Sequence, residues 1–304
     1  MCLRGKNMII SAVSNPKDER KGIREALNLI KEDVYRTLPS NARILIKPNF
    51  VSAYDPLSAT PVECVEETLK FLMNITNPKE IIVAESPTIG SFNGAVKSYG
   101  YTKLRDEYGV ELCDLDEHGH ETIEITGVSG SPLSIPVSKL VLESDFRVSP
   151  VRPKTHDFAV VTLTIKNMVV GSIKRGYRRL IHQGYWQINH NIAEIAVKVM
   201  PHLSVVDGYE SMEGNGPVYG NLKRWGAYFA STSPVSLDAT VAFAMGFNPS
   251  DIGYLYLLSK WGYGEIDPKK INIIGENLNT VKTIFKPHRD FKNQLEWKKH
   301  LISP

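Results

Sequence analysis

A histidine, a lysine and a second histidine stand at set intervals in the middle of this chain: His156, Lys166 ten residues on, and His182 sixteen beyond that. Imidazole titrates near neutral pH, so the two histidines can serve as general acid and general base. Both can also ligate a metal. Lys166 lies between Leu163-Thr164-Ile165 and Met168-Val169-Val170. A lysine in such apolar company is costly to bury unless it is paired or used. Three uses stay open: a point charge holding a phosphate or carboxylate, a covalent link through an amine whose pKa burial has lowered, or an ion pair with Glu85, Asp207 or Glu210. Each of those carboxylates follows an apolar run.

The surroundings are one-sided in charge. Between Asp157 and Glu194 there is no carboxylate, while Lys166, Lys174, Arg175, Arg178 and Arg179 all fall there. In a chain of formal net charge +3, a local cationic block points to a bound anion, because fixed positive charge concentrates negative ligands. For residues 174–179 a solvated basic loop is the competing reading. The expected partner is therefore a small anionic molecule. Lys47, Asn49, Lys154, Asn167 and Asn215 are the candidate anion-binding residues, and His182, Glu85 and Asp207 the candidate metal donors. His156, Lys166 and His182 are the candidate catalytic residues. A divalent metal or a Lys-linked cofactor would suit these residue types. The other reading is a non-catalytic carrier of a metabolite or RNA using the basic block 166–182. RNA binding would show a steep salt dependence and stacking on Tyr177, Tyr185 or Trp186.

These residues need a scaffold, and the pattern predicts α/β: a mostly parallel sheet with helices on both faces. Residues 21–38 place Ile23, Leu27, Ile30 and Val34 at helical spacing. Arg43-Ile44-Leu45-Ile46 reads as a buried strand ending at Pro48. Thr60-Pro61-Val62-Glu63 predicts a helix start with Thr60 as cap and Glu63 completing a capping box. Residues 80–84 form a strand leading to Glu85-Ser86-Pro87, and carboxyl ends of parallel strands are where ligands sit. A helix over 93–108 and a strand over 110–115 continue the alternation. Residues 122–141, with Gly127, Gly130, Pro132 and Pro136, predict an antiparallel excursion. After the central block come a helix over 187–200, a strand over 203–206, and the glycine-rich Gly214-Asn215-Gly216-Pro217 with Gly220. A strand over 225–231, a helix opened by Ser233-Pro234 and stopped at Gly246, a helix over 251–259 and a strand over 271–275 follow. The scheme is compatible with two lobes, 1–145 and 146–304, or with one continuous domain.

Composition narrows the class. The 304 residues allow a large core, and the apolar fraction of 42% is that of a globular protein. The small net charge argues against a general nucleic-acid binder. Cys2, Cys64 and Cys113 form no CxxC pair, so no iron–sulfur cluster, structural zinc or disulfide framework is expected. The first residues carry too brief an apolar run for a signal peptide, and no segment reaches the length of a membrane span. A cytoplasmic location is the expectation. No Walker motif and no GxGxxG after a strand occurs, nor a GxSxG.

Two stretches resemble the family described as domain of unknown function 362. One is Pro153-Lys154-Thr155-His156 with Thr162, Ile165-Lys166-Asn167 and Gly171. The other is Asp207-Gly208, Met212-Glu213-Gly214-Asn215-Gly216-Pro217, Gly220 and Asp238, with Lys47-Pro48-Asn49 adding to the match. The family implies no established reaction. Some members carry ferredoxin-type cysteine clusters, which this chain lacks. The spacing of His156, Lys166 and His182 is also similar, more distantly, to the N-terminal domain of the nickel-pincer lactate racemases. That resemblance implies Lys166 as anchor of a pyridinium-derived cofactor in thioamide linkage, His182 as nickel ligand and His156 as acid/base. Glu85-Ser86 stands where the racemases place another catalytic histidine, and Lys47-Pro48-Asn49 replaces their substrate-positioning Asp and Arg. What carries over is the place of the site and the fold, not the racemization or the nickel; a racemase- or isomerase-like enzyme is one expectation, beside the carrier reading.

Overall fold

A computed structural model describes residues 8–301. Cys2 and the N-terminal stretch weighed as a leader lie outside the described residues. In chain order the strands are β1 (Ile9–Ser14), β2 (Arg43–Ile46), β3 (Glu80–Glu85), β4 (Glu111–Asp114), β5 (His120–Thr126), β6 (Pro132–Ser138), β7 (Phe146–Val151), β8 (Lys154–His156), β9 (Val160–Thr162), β10 (Leu203–Asn215), β11 (Tyr219–Ser231) and β12 (Asn272–Gly275). The main sheet runs β12-β1-β11-β10-β7-β2-β3-β4, with β8 and β9 attached to β10. Along this row only the pairings of β11, with β1 and with β10, are antiparallel. Strands from both sides of residue 146 share this one sheet, since β2 pairs with β7.

The period-2 alternation of strand side chains separates two cores. Leu45, Ile82 and Ala84 face one core with the helices Thr164–Ser172, Tyr185–Val199, Pro234–Ala244 and Gly253–Lys260. Ile44, Ile46 and Val83 face the other, with Glu19–Leu29, Val62–Ile75, Phe92–Ser98 and Thr102–Tyr108. Helices therefore cover both faces, and the small antiparallel pair β5-β6 stands apart as its own sheet. No described helix is long and apolar enough to cross a membrane.

Several local expectations change. The helix expected over 21–38 is two helices, Glu19–Leu29 and Lys31–Thr37, broken at Ile30. The one expected over 93–108 is also two, separated by the turn at Gly100, where φ is +73°. Thr60 does not cap Val62–Ile75, whose first turn has no side-chain cap. Its hydroxyl instead accepts the Asn49 amide at 2.9 Å and donates to the Pro150 carbonyl at 3.0 Å. That bridge ties the segment after β2 to the end of β7. The strand expected to stop at Val206 bends at a register shift between Gly208 and Glu210 and continues to Asn215.

Candidate functional site

The parallel strands β2, β3 and β7 deliver Lys47, Glu85 and Arg152 at or just past their carboxyl ends. Lys47 is fully buried, and its ammonium donates to Glu85 Oε1 at 2.9 Å, Asn167 Oδ1 at 2.9 Å and the Pro48 carbonyl at 3.0 Å. Asn167 returns its amide to the Lys47 carbonyl and to Ser149 Oγ, both at 3.0 Å. Burial lowers the Lys47 pKa and Glu85 opposes the shift. Gly171 permits this cluster, because a Cβ there would lie 2.1 Å from Lys47 Nζ.

The helix Thr164–Ser172 presents Lys166 and Asn167 from its first turn. That turn is fixed by a carboxylate from another helix. Asp238 Oδ1 accepts from the Thr164 amide at 3.1 Å and from its hydroxyl at 2.6 Å, and Oδ2 accepts from the Ile165 amide at 2.9 Å. Asp238 thus satisfies amide groups that a helix start leaves open. Burial pushes its pKa to about 7, against these hydrogen bonds, which pull it down.

Above this layer lies a cavity of about 780 Å³. Of the residues singled out in the sequence, it is lined by His156, Lys166, His182, Asn49, Asn167, Asn215 and Glu85. Lys47 and Lys154 sit behind the wall. Lys154, fully buried, donates to Asn49 Oδ1 and to the Ser58 carbonyl; burial, with Arg152 and Lys166 adding to it, drives its pKa well below the lysine range. Asp207 does not join His182 and Glu85. It is buried against Glu19 outside the cavity lining, and Glu85 is already taken by Lys47. The carboxylate nearest in effect to Lys166 is Asp157, not Glu85, Asp207 or Glu210.

Lys166 is 5% exposed, yet among the described residues its ammonium has no hydrogen bond and no ion pair. Burial lowers its pKa to about 8, with Arg178 and Lys47 adding to the shift and Asp157 opposing it. Arg178 is also buried and, among the described residues, without an ion pair; it donates to Thr88 Oγ1, the Ile173 carbonyl and the Gly171 carbonyl, at 3.0, 3.1 and 3.2 Å. Of the block read as a loop, Arg175 is a structural partner of Ser86, Asp114 and Asp116, and Arg179 reaches the cavity.

The two histidines differ in their ring partners. His156 Nδ1 lies 3.0 and 3.3 Å from the amides of Phe158 and Ala159, which call for a lone pair there, and 3.0 Å from the Asp157 carboxylate, which calls for a proton. Burial and Lys166 hold its pKa down at about 3, so the ring is neutral, and the Asp157 carboxylate 3.0 Å from Nδ1 only partly offsets this. His182 Nδ1 lies 2.7 Å from the Arg178 carbonyl, which can only accept, so Nδ1 carries the proton and Nε2 keeps its lone pair. Burial and Lys166 lower its pKa as well. His182 thus brings a lone pair to the cavity wall, beside the second neutral ring of His156.

Sequence reasoning missed part of the wall. His288, Arg289 and Asp290 line the cavity from the stretch beyond the strand expected over 271–275, where the pattern predicts no element. Gln294 donates to the His156 carbonyl at 2.7 Å, and the Arg289 amide reaches Asn215 Oδ1 at 3.3 Å, so this segment straps the glycine-rich hairpin to the site. Gly216 allows the close approach, since a Cβ there would meet the Thr155 carbonyl at 2.2 Å.

A family model described as Domain of unknown function (DUF362) matches residues 44–243. The chain is 24% identical over 215 residues to the thylakoid-associated protein sll1697 of Synechocystis sp., covering 69% of this chain and 65% of that protein. It spans, then, somewhat under two thirds of that relative's length. Its structure is similar to that of the lactate racemase apoprotein from Thermoanaerobacterium thermosaccharolyticum, with a TM-score of 0.53 and 13% identity over 78% of this chain and 57% of that one. At that identity the likeness is one of fold.

Proposed function

The chain belongs to the DUF362 family, and from that premise we propose that it is an enzyme acting on a small carboxylate or phosphate by histidine acid/base chemistry. The observation that carries this reading is Lys166, a buried ammonium without a partner among the described residues, beside two neutral imidazoles. A buried unpaired charge is expensive, and an anionic ligand removes the expense. Lys166 and Arg178 would hold the anionic group. His182 Nε2 would take a proton from the substrate, and the neutral His156, in its Nε2–H form, would hydrogen-bond the oxygen on which charge develops. Proton abstraction beside a carboxylate, the chemistry of an isomerase or racemase, fits such a pair, and the likeness to the lactate racemase fold supports the class.

For a Lys-linked cofactor the fit is partial. A partner-free amine shifted toward neutrality and a histidine with a free Nε2 suit an anchor and a ligand. Glu85, bound by Lys47 at 2.9 Å, does not suit the place of a further histidine. No step is assigned to such a group.

The test is exchange of the α-hydrogen of 2-hydroxycarboxylates in deuterated water, followed by NMR, beside calorimetric titration with lactate and inorganic phosphate. His182→Asn should keep anion binding and lower exchange by about 10²–10⁴-fold, the usual share of a general base. Lys166→Met should remove binding. Anion binding that survives Lys166→Met would sink the proposal, as would RNA binding with a steep salt slope and no small-anion binding.

A further inference from the structure

On the edge strand β4, far along the sheet from β10, Glu111 and Cys113 point to one side, two residues apart on one face. The 3₁₀ turn Leu115–Glu117 then brings His118 back over them. A carboxylate oxygen of Glu111, Cys113 Sγ and a ring nitrogen of His118 all lie within 4.8 Å of one another, and this is the sole such trio of His, Cys, Asp or Glu donors among the described residues. Cys113 Sγ donates to Glu111 Oε1 at 3.1 Å, and no described residue bonds the His118 ring. Metal–ligand bonds of about 2.0–2.3 Å around tetrahedral zinc put ligand atoms about 3.3–3.8 Å apart, so the trio closes on an ion by a small movement of the exposed Glu111 and His118 side chains.

We propose that Glu111, Cys113 and His118 form a binding site for a thiophilic divalent transition ion of the zinc class, with water in the fourth position. The mixed thiolate, imidazole and carboxylate set suits zinc or cobalt rather than calcium or magnesium, which take oxygen ligands. The local field favours a cation, since Glu117 and Glu80 also bear on Cys113. Burial and these carboxylates hold the free thiol protonated, with its pKa pushed up to about 12; binding would release that proton to solvent. The site borders the cavity machinery. Asp114 and Asp116, on the same strand and turn, hold Arg175 at the start of the segment carrying Arg178 and His182. An ion there would pin the turn that orients those side chains.

The experiment is titration of the full chain with Co²⁺, reading the thiolate-to-cobalt charge-transfer band in the near ultraviolet, with zinc displacing the cobalt. Cys113→Ser should abolish the band, while Cys64→Ser and His182→Asn should leave it. His118→Ala and Glu111→Gln, both at exposed positions, should weaken cobalt binding by about tenfold or more, a loss even outer-shell partners can cause. Circular dichroism checks that each variant folds. If Cys113→Ser fails to fold, the two exposed variants decide. Absence of the band at excess cobalt, or a band indifferent to His118→Ala and Glu111→Gln, overturns the proposal.

Discussion

At the scale of single residues, Lys166 makes the sharpest demand. Below about pH 8 it is charged in the folded chain, so anion affinity should be full there and fall as pH rises through that value, by up to about tenfold per unit. Lys166→Met should bind no anion at any pH, and calorimetry across pH 6–10 checks both arms. The same group affects stability. Its folded pKa lies below the ordinary 10.5, so between about 8 and 10.5 the unfolded chain holds more protons, and stability due to this residue rises with pH in that window. Lys166→Met removes the burial cost without stranding an ion-pair partner. Its melting temperature should equal or exceed the wild type at pH 7, and the difference should shrink above pH 10. A large drop at pH 7 would mean a structural pair instead. The chemical types at 156, 166 and 182 were legible in the sequence because local context carries them: a lysine among apolar residues in a stretch free of carboxylates. What faces Lys166 was not. The carboxylate that bears on it most is Asp157, only nine positions earlier, whereas Glu85 and Asp207 are held by Lys47 and buried against Glu19.

The helix Thr164–Ser172 is the element on which the site turns, and its first turn depends on Asp238, more than seventy positions away in the chain. Asp238→Ala would leave two buried amides and the Thr164 hydroxyl without their acceptor. Each unsatisfied buried group costs about 1–3 kcal/mol, so a loss of several kcal/mol is expected, read as a lowered denaturation midpoint in urea. Asp238→Asn, which keeps one acceptor oxygen, should recover part of the stability. Most elements were visible in the sequence because short apolar runs and helical spacing state them directly. The breaks at Ile30 and Gly100 were not, because the apolar stripe continues across both. Nor was the length of β10: Asp207-Gly208 has the residue types of a turn, and here it forms a bend within a strand that continues for seven residues more.

Across the whole molecule, the most unusual electrostatic feature lies outside the cavity. Glu19, at the start of its helix, and Asp207, in the middle of β10, share a buried contact. Burial and Asp207 raise the Glu19 pKa to about 9, and burial raises that of Asp207. Both folded values exceed the unfolded ones, so the native chain holds more protons from about pH 4 to about pH 9, and stability contributed by the pair is lost as pH rises through that range. Glu19→Gln keeps a hydrogen-bond donor without the titration. Its melting temperature should fall less than the wild type's between pH 5 and 9. An unchanged slope would show that the pair does not titrate in this range.

The strap over residues 288–294 has its own consequence. It closes the cavity with His288, Arg289 and Asp290 and holds His156 through Gln294, yet it lies beyond residue 243, where the family match ends. The candidate His–Lys set and one enclosing wall thus come from different stretches of the polypeptide, like a lock whose bolt and faceplate are cut from separate stock. Choice of ligand can then be reset by exchanging the faceplate, with the histidines and Lys166 left as they are.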